Sequence, residues 1–230
     1  AGVPEGVFSV LIGGREVGQA LLDQPLSGVY FTGSHSTGVK VAEIAARQMM
    51  RLQLELGGKD PAYIAPDVEI ATVAAAVADG AFYNAGQSCC SVERIYIHES
   101  IYDSFVEHFV ATVKTFVCGS PMEEDTYIGP LTREPQRAVI QAQIEDAVRK
   151  GARLLTGGKA GGGVGYFFEP TVLADVTHEM EVMREESFGP VIGLQKVASD
   201  SEAIDRMNDT RYGLTASVFT TSKERAEDML

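Results

Sequence analysis

The chain has 230 residues and a mass of 24.7 kDa, and 45% of its residues are apolar, enough to bury a core as one large domain or two small ones. Its 32 acidic residues against 19 basic ones give a formal net charge of −13, which repels a phosphate backbone and argues against a nucleic-acid partner. No apolar run approaches the roughly 20 residues that cross a bilayer, and Ala1 to Pro4 open no basic-then-apolar export segment, so a soluble cytoplasmic protein with no membrane partner is expected.

Short apolar β-type runs alternate with longer amphipathic or Ala-rich segments, the pattern of an α/β protein with parallel strands. In chain order, Val7 to Leu11 reads as a strand, Glu16 to Leu22 as a helix and Gly28 to Phe31 as a strand. Gly38 to Met50 follows as a helix and Leu52 to Leu56 as a strand, so the whole stretch predicts a βαβαβ run. The Gly57–Gly58 pair marks a candidate domain boundary. After it come a strand at Ala62 to Ile64, a long Ala-rich helix from Glu69 to Tyr83 introduced by Pro66 and Asp67, and a strand at Glu93 to His98. Helices are predicted over Tyr102 to Phe116 and over Glu134 to Lys150, the latter capped by Gly151. The glycine cluster Gly157 to Gly165 reads as a flexible surface loop.

Three cysteines, two of them adjacent, make a disulfide framework improbable and fit reduced thiols. With four scattered histidines they show no metal-ligand spacing, so no metal is expected. The sharpest local feature is GQSCCS, Gly86 to Ser91, which sets thiols in a loop after the long helix. A thiolate attacks electrophilic carbon well once its proton is removed, although two buried structural cysteines would give the same six residues. In ELGGK, Glu55 to Lys59, a carboxylate sits in an otherwise apolar strand. Burial there would raise its pKa toward that of a general base, whereas a solvated strand end is the plainer reading.

FTGS, Phe31 to Ser34, is a strand, a tight turn and a helix start. Such a start can hold a pyrophosphate, and Gly and Ser there are equally plain capping residues. In REESFGP, Arg184 to Pro190, Glu186 could accept from ribose hydroxyls and Phe188 could pack on a nicotinamide ring, or the segment could be a charged element running into a turn.

These segments, together with AGVPEGVFSV, ELGGKDP, FYNAGQSCCSVER, YIGPL, FEPTVL, EESFGPV and NDTRYGLTASVFT, occur in the order and at about the spacing of the aldehyde dehydrogenase superfamily, which the chain resembles over nearly all its length. The resemblance implies Cys89 as the nucleophile, with Cys90 a variable neighbour, and Glu55 as the general base. It implies Gly33 and Ser34 at the turn near the coenzyme phosphates, Thr32 and Leu56 as further coenzyme-binding residues, Glu186 and Phe188 at the ribose and nicotinamide, and a structural role for Arg94. The coenzyme would be NAD or NADP, the substrate a small aldehyde oxidised to its acid, and the parent enzyme a homo-oligomer.

The implied architecture is part of a Rossmann-like coenzyme-binding domain over residues 1–57, followed by an α/β catalytic domain with a mainly parallel sheet over 58–230. Family members are about twice as long. The resemblance therefore implies that an upstream half and a short C-terminal part lie outside this chain, including the family's oxyanion asparagine, since Asn84 and Asn208 do not stand in its setting. Low activity of the isolated chain is expected, the competing reading being a non-catalytic interaction module on the same fold.

Overall fold

The computed structural model describes residues 2–229, which divide between Leu56 and Gly57 into two compact units. The first holds α1 (Arg15–Leu22), β1 (Gly28–Gly33), α2 (His35–Arg47) and β2 (Arg51–Leu56). β1 and β2 are parallel, with Gly28 opposite Arg51 and Gly33 opposite Leu56, and α2 makes the crossover between them. Helix α2 begins at His35 rather than at Gly38 because the Ser34 side chain accepts from Thr37 N and caps it.

The strand expected over Val7 to Leu11 is not formed. Those residues lie outside any element and are exposed, Phe8 by 78%. Their composition suits a strand, but no ladder partner stands beside them among the described residues, and a strand exists only where its amides are paired. The predicted βαβαβ run is therefore a single β1–α2–β2 unit preceded by α1.

The second unit is a six-stranded sheet in the order β5-β6-β7-β4-β3-β8, from β3 (Pro61–Ile64), β4 (Arg94–His98), β5 (Arg153–Thr156), β6 (Thr171–Ala174), β7 (Val191–Val197) and β8 (Ser217–Phe219). All pairings are parallel except β5 with β6. Its helices are α3 (Ile70–Phe82), α4 (Tyr102–Val113), α5 (Glu134–Arg149), α6 (Glu181–Arg184), α7 (Asp200–Asn208) and α8 (Lys223–Met229).

Strands β3 and β6 are buried throughout and β4 nearly so, as strands covered on both faces must be. The two-residue strand period sorts their side chains. Ala62, Ile64, Ile95 and Ile97 face a cluster completed by Ala74, Val77 and Phe82 of α3 and Phe105 and Phe109 of α4. Tyr63 and Tyr96 face a second cluster with Ile140 and Ile144 of α5, Val182 and Met183 of α6, and Met207 of α7.

Local signals set the helix ends. Glu69 caps α3 by accepting from Ala71 N and Thr72 N, so the helix starts after Glu69 rather than at it. Gly151, at φ +104, follows the end of α5. The glycine cluster is partly tied down: Gly158 N donates to Thr171 Oγ1 and Gly161 N to Phe167 O. Among the described residues no helix is long and apolar enough to cross a membrane, and no group of three or more metal-ligating side chains occurs.

Candidate active site

Three of the sequence motifs immediately precede three adjacent parallel strands. Gly57 to Asp60 leads into β3, Gly86 to Glu93 into β4, and Glu186 to Pro190 into β7, and the order β7-β4-β3 brings them to one edge of the sheet. Neighbouring parallel strands start on the same side, so segments up to 128 residues apart in sequence meet there.

The loop bearing the thiols is held by its own backbone. After α3 the chain passes through three successive left-handed residues, Asn84 (φ 51), Ala85 (φ 55) and Gly86 (φ 68). For non-glycine residues that conformation costs about 1–3 kcal/mol each and needs external support. Gln87 supplies it. Its Nε2 donates to Asn84 O and Pro130 O, its Oε1 accepts from Thr132 N and Thr132 Oγ1, and Asn84 Nδ2 donates to Gln87 O. Gly86 lies so close to the 186–190 segment that a Cβ on it would come 2.3 Å from Gly189 O. Only glycine meets both demands here.

Cys89 and Cys90 are free and exposed at the end of this loop, which removes the reading of two buried structural cysteines. Partial burial of its sulfur and the adjacent Cys90 push the Cys89 thiol up. Cys90 is held down by the hydroxyls of Ser88 and Tyr83, each 3.5 Å from its sulfur and themselves 2.5 Å apart. Cys118, remote in sequence, is raised mainly by burial.

Beneath the loop lies a polar network that motif reading leaves out. Lys59, fully buried, donates to Glu93 Oε2 (2.5 Å) and Ser187 Oγ (2.9 Å), and Glu93 accepts from Ser187 N and Phe188 N, both at 3.0 Å. Burial lowers the Lys59 pKa, against the pull of Glu93. Arg94 is also fully buried, donating to Lys59 O, Tyr96 Oη, Arg206 O and Met207 O, the structural role expected of it. Glu93 follows the motif and resembles a solvated charge in the one-dimensional sequence; only its place just before a buried strand hinted otherwise.

Glu186 packs on Gly57, where a Cβ would fall 1.9 Å from Glu186 Oε1. Burial, and then the Glu93 charge, push its carboxyl up to about 7. Phe188, left-handed at φ 44, is 36% exposed.

The remaining candidates lie in the first unit. Thr32, Gly33, Glu55 and Leu56 are at the C-terminal ends of β1 and β2, with Thr32 opposite Glu55, and Ser34 opens α2. Leu56 packs over Gly38, where a Cβ would come 2.6 Å from Leu56 Cδ2. Parallel-strand C-termini beside a helix start without acidic residues fit a coenzyme phosphate. The burial expected for Glu55 is not found: it is exposed, accepting from Gln53 Nε2 at 3.3 Å. The strand's alternation turns it to the open face, and the carboxyls that burial pushes up are those of Asp60 and Glu186.

The model of the aldehyde dehydrogenase family matches residues 1–230. The chain belongs to that family. It is 39% identical over 222 residues to the lactaldehyde dehydrogenase of Escherichia coli, covering 95% of this chain and 46% of the relative. It is 37% identical over 228 residues to the NADP(+) succinate-semialdehyde dehydrogenase of Deinococcus radiodurans, covering 99% and 48%. Among solved structures, a Mycobacterium tuberculosis aldehyde dehydrogenase complexed with NAD+ superposes with a TM-score of 0.96 at 38% identity, covering 99% of this chain and 48% of that one. The α/β architecture with its mostly parallel sheet is thus part of the aldehyde dehydrogenase fold. The chain spans about half the length of the curated relatives it matches.

Proposed function

We propose that this chain carries the thiol half of an NAD(P)-dependent oxidation of a small aldehyde to its carboxylic acid, with Cys89 as nucleophile and Glu55 as general base. In this reading residues 1–57 are the C-terminal part of a coenzyme-binding domain and residues 58–230 a catalytic domain. The observation that carries it is the exposed Cys89, presented by a strained, clamped loop at the edge where Gly57 to Lys59 and Glu186 to Phe188 also meet, in a member of the aldehyde dehydrogenase family.

Gly33 and Ser34 would hold the coenzyme phosphates at the start of α2, with Thr32 and Leu56 as further coenzyme contacts, and Glu186 and Phe188 its ribose and nicotinamide. Bound there, NAD or NADP supplies the hydride acceptor. The Cys89 thiol, pushed up by its surroundings, needs its proton taken before it attacks the aldehyde carbon to form a thiohemiacetal. Loss of hydride leaves a thioester on Cys89. Exposed Glu55 then draws a proton from water, which releases the acid and restores the thiol.

The thiohemiacetal oxyanion needs donors, and Asn84, which donates to Gln87 O, does not stand in the setting of the family's oxyanion asparagine. Lack of one such donor costs about a hundredfold to a thousandfold in rate, so slow turnover by this chain alone is expected. The test is NADH or NADPH formation by the purified chain with short aliphatic and aromatic aldehydes, beside Cys89→Ser. Slow turnover abolished by the substitution supports the assignment, and turnover that survives it rejects Cys89. A folded chain without turnover, in which Cys89 and Cys118 are alkylated equally slowly, favours a non-catalytic module instead.

A further inference from the structure

The buried Lys59–Glu93 pair takes part in no step above, and its presence needs a reason. Taking two charges out of water is costly, and an apolar pair of similar volume often serves a core as well. What a carboxylate does that an apolar group cannot is accept several donors at fixed angles.

We infer that Glu93, locked in place by Lys59, is a positioning residue that fixes the backbone of Glu186 to Phe188 and so the coenzyme-facing side of the site; its functional half rests on the coenzyme reading above. Glu93 Oε2 takes Lys59 Nζ and Ser187 N, and Oε1 takes Phe188 N, so one carboxylate holds two successive amides. Phe188 is left-handed at φ 44, a conformation an aromatic residue keeps only when its surroundings over-determine it. The other restraints act elsewhere on the segment. Ser187 Oγ donates to Gln143 Oε1 (2.7 Å), Gln136 Nε2 to Ser187 O (2.6 Å) and Gln143 Nε2 to Glu186 O (3.2 Å).

Glu93 also stands four residues after Cys89 and just before β4. The chain that presents the thiol therefore ends in the group that sets the 186–188 segment. Its register on β4 carries both.

Amide hydrogen exchange on the full chain tests this. Glu93→Gln keeps the volume but offers one acceptor oxygen. Exchange at the Ser187 and Phe188 amides should accelerate roughly ten- to a hundredfold, as for a lost charge-assisted hydrogen bond, while amides of β4 and β7 keep their rates. Unchanged exchange at those two positions, or uniform acceleration across residues 57–229, overturns the inference. Glu93→Asp, which retains the charge on a shorter arm, serves if the first variant does not fold and should show the same selective loss.

NAD+ and NADP+ titrations of the same proteins test the functional half. Binding should weaken about tenfold in Glu93→Gln, one hydrogen-bond increment, with Cys89 alkylation unchanged. Equal binding by variant and parent overturns that half. A parent chain that binds neither nucleotide sinks the coenzyme reading, and the exchange result still decides the clamp.

Discussion

Cys89 and Cys90 differ in ionisation although they are neighbours. Two hydroxyls stabilise the Cys90 thiolate, and its charge in turn opposes that of Cys89. Iodoacetamide at neutral pH should therefore label Cys90 before Cys89. Cys90→Ser should speed Cys89 labelling, because both the repelling charge and the sulfur contact are gone; mass mapping of the modified peptides decides it. Glu186 gives a pH signature. Its folded pKa of about 7 lies above the ordinary carboxyl value of 4.5, so the folded state holds the extra proton between those values. Stability contributed at low pH is then lost as pH rises from about 4.5 through 7. Glu186→Gln should match the parent near the lower limit and exceed it above the upper one in urea melts. Arg94 is a simpler case: Arg94→Met leaves the buried carbonyls of Lys59 and Met207 without their guanidinium donor and should cost about 3 kcal/mol or more.

At the scale of elements, the site is a property of strand order. The segments before β3, β4 and β7 meet because those strands are adjacent and parallel, and the loop before β4 is bent by three left-handed residues. Gly86→Ala should be disruptive on two counts, a left-handed alanine and a Cβ driven into Gly189 O. A cost of about 1–3 kcal/mol is expected from strain and overpacking, with Cys89 alkylation altered while far-UV dichroism is retained. Periodicity and capping made most of the elements up to Arg149 legible, within a few residues at their ends. The run at Val7 to Leu11 departs from this because strand formation needs a partner, which composition does not report.

For the whole molecule, the two units differ in how much they bury. Gly38, Val41 and Ala45 are the buried residues described before Leu56, whereas residues after Gly57 form two clusters on opposite faces of a six-stranded sheet. Local opening follows buried contact, so residues 2–56 should be cut first. Limited proteolysis read by mass spectrometry should leave a resistant fragment starting near Gly57; a fragment retaining β1 and β2 would contradict this. Fold class, family resemblance and the thiol motif are legible in the residues alone, because helix period, turn residues and motif spacing are local and survive in one dimension. Folding leaves Glu55 exposed and Glu186 half-buried, and gathers Lys59, Glu93 and Ser187 into one network. Burial and hydrogen bonding between residues 34 to 128 positions apart depend on which strands pair, and no local pattern encodes that.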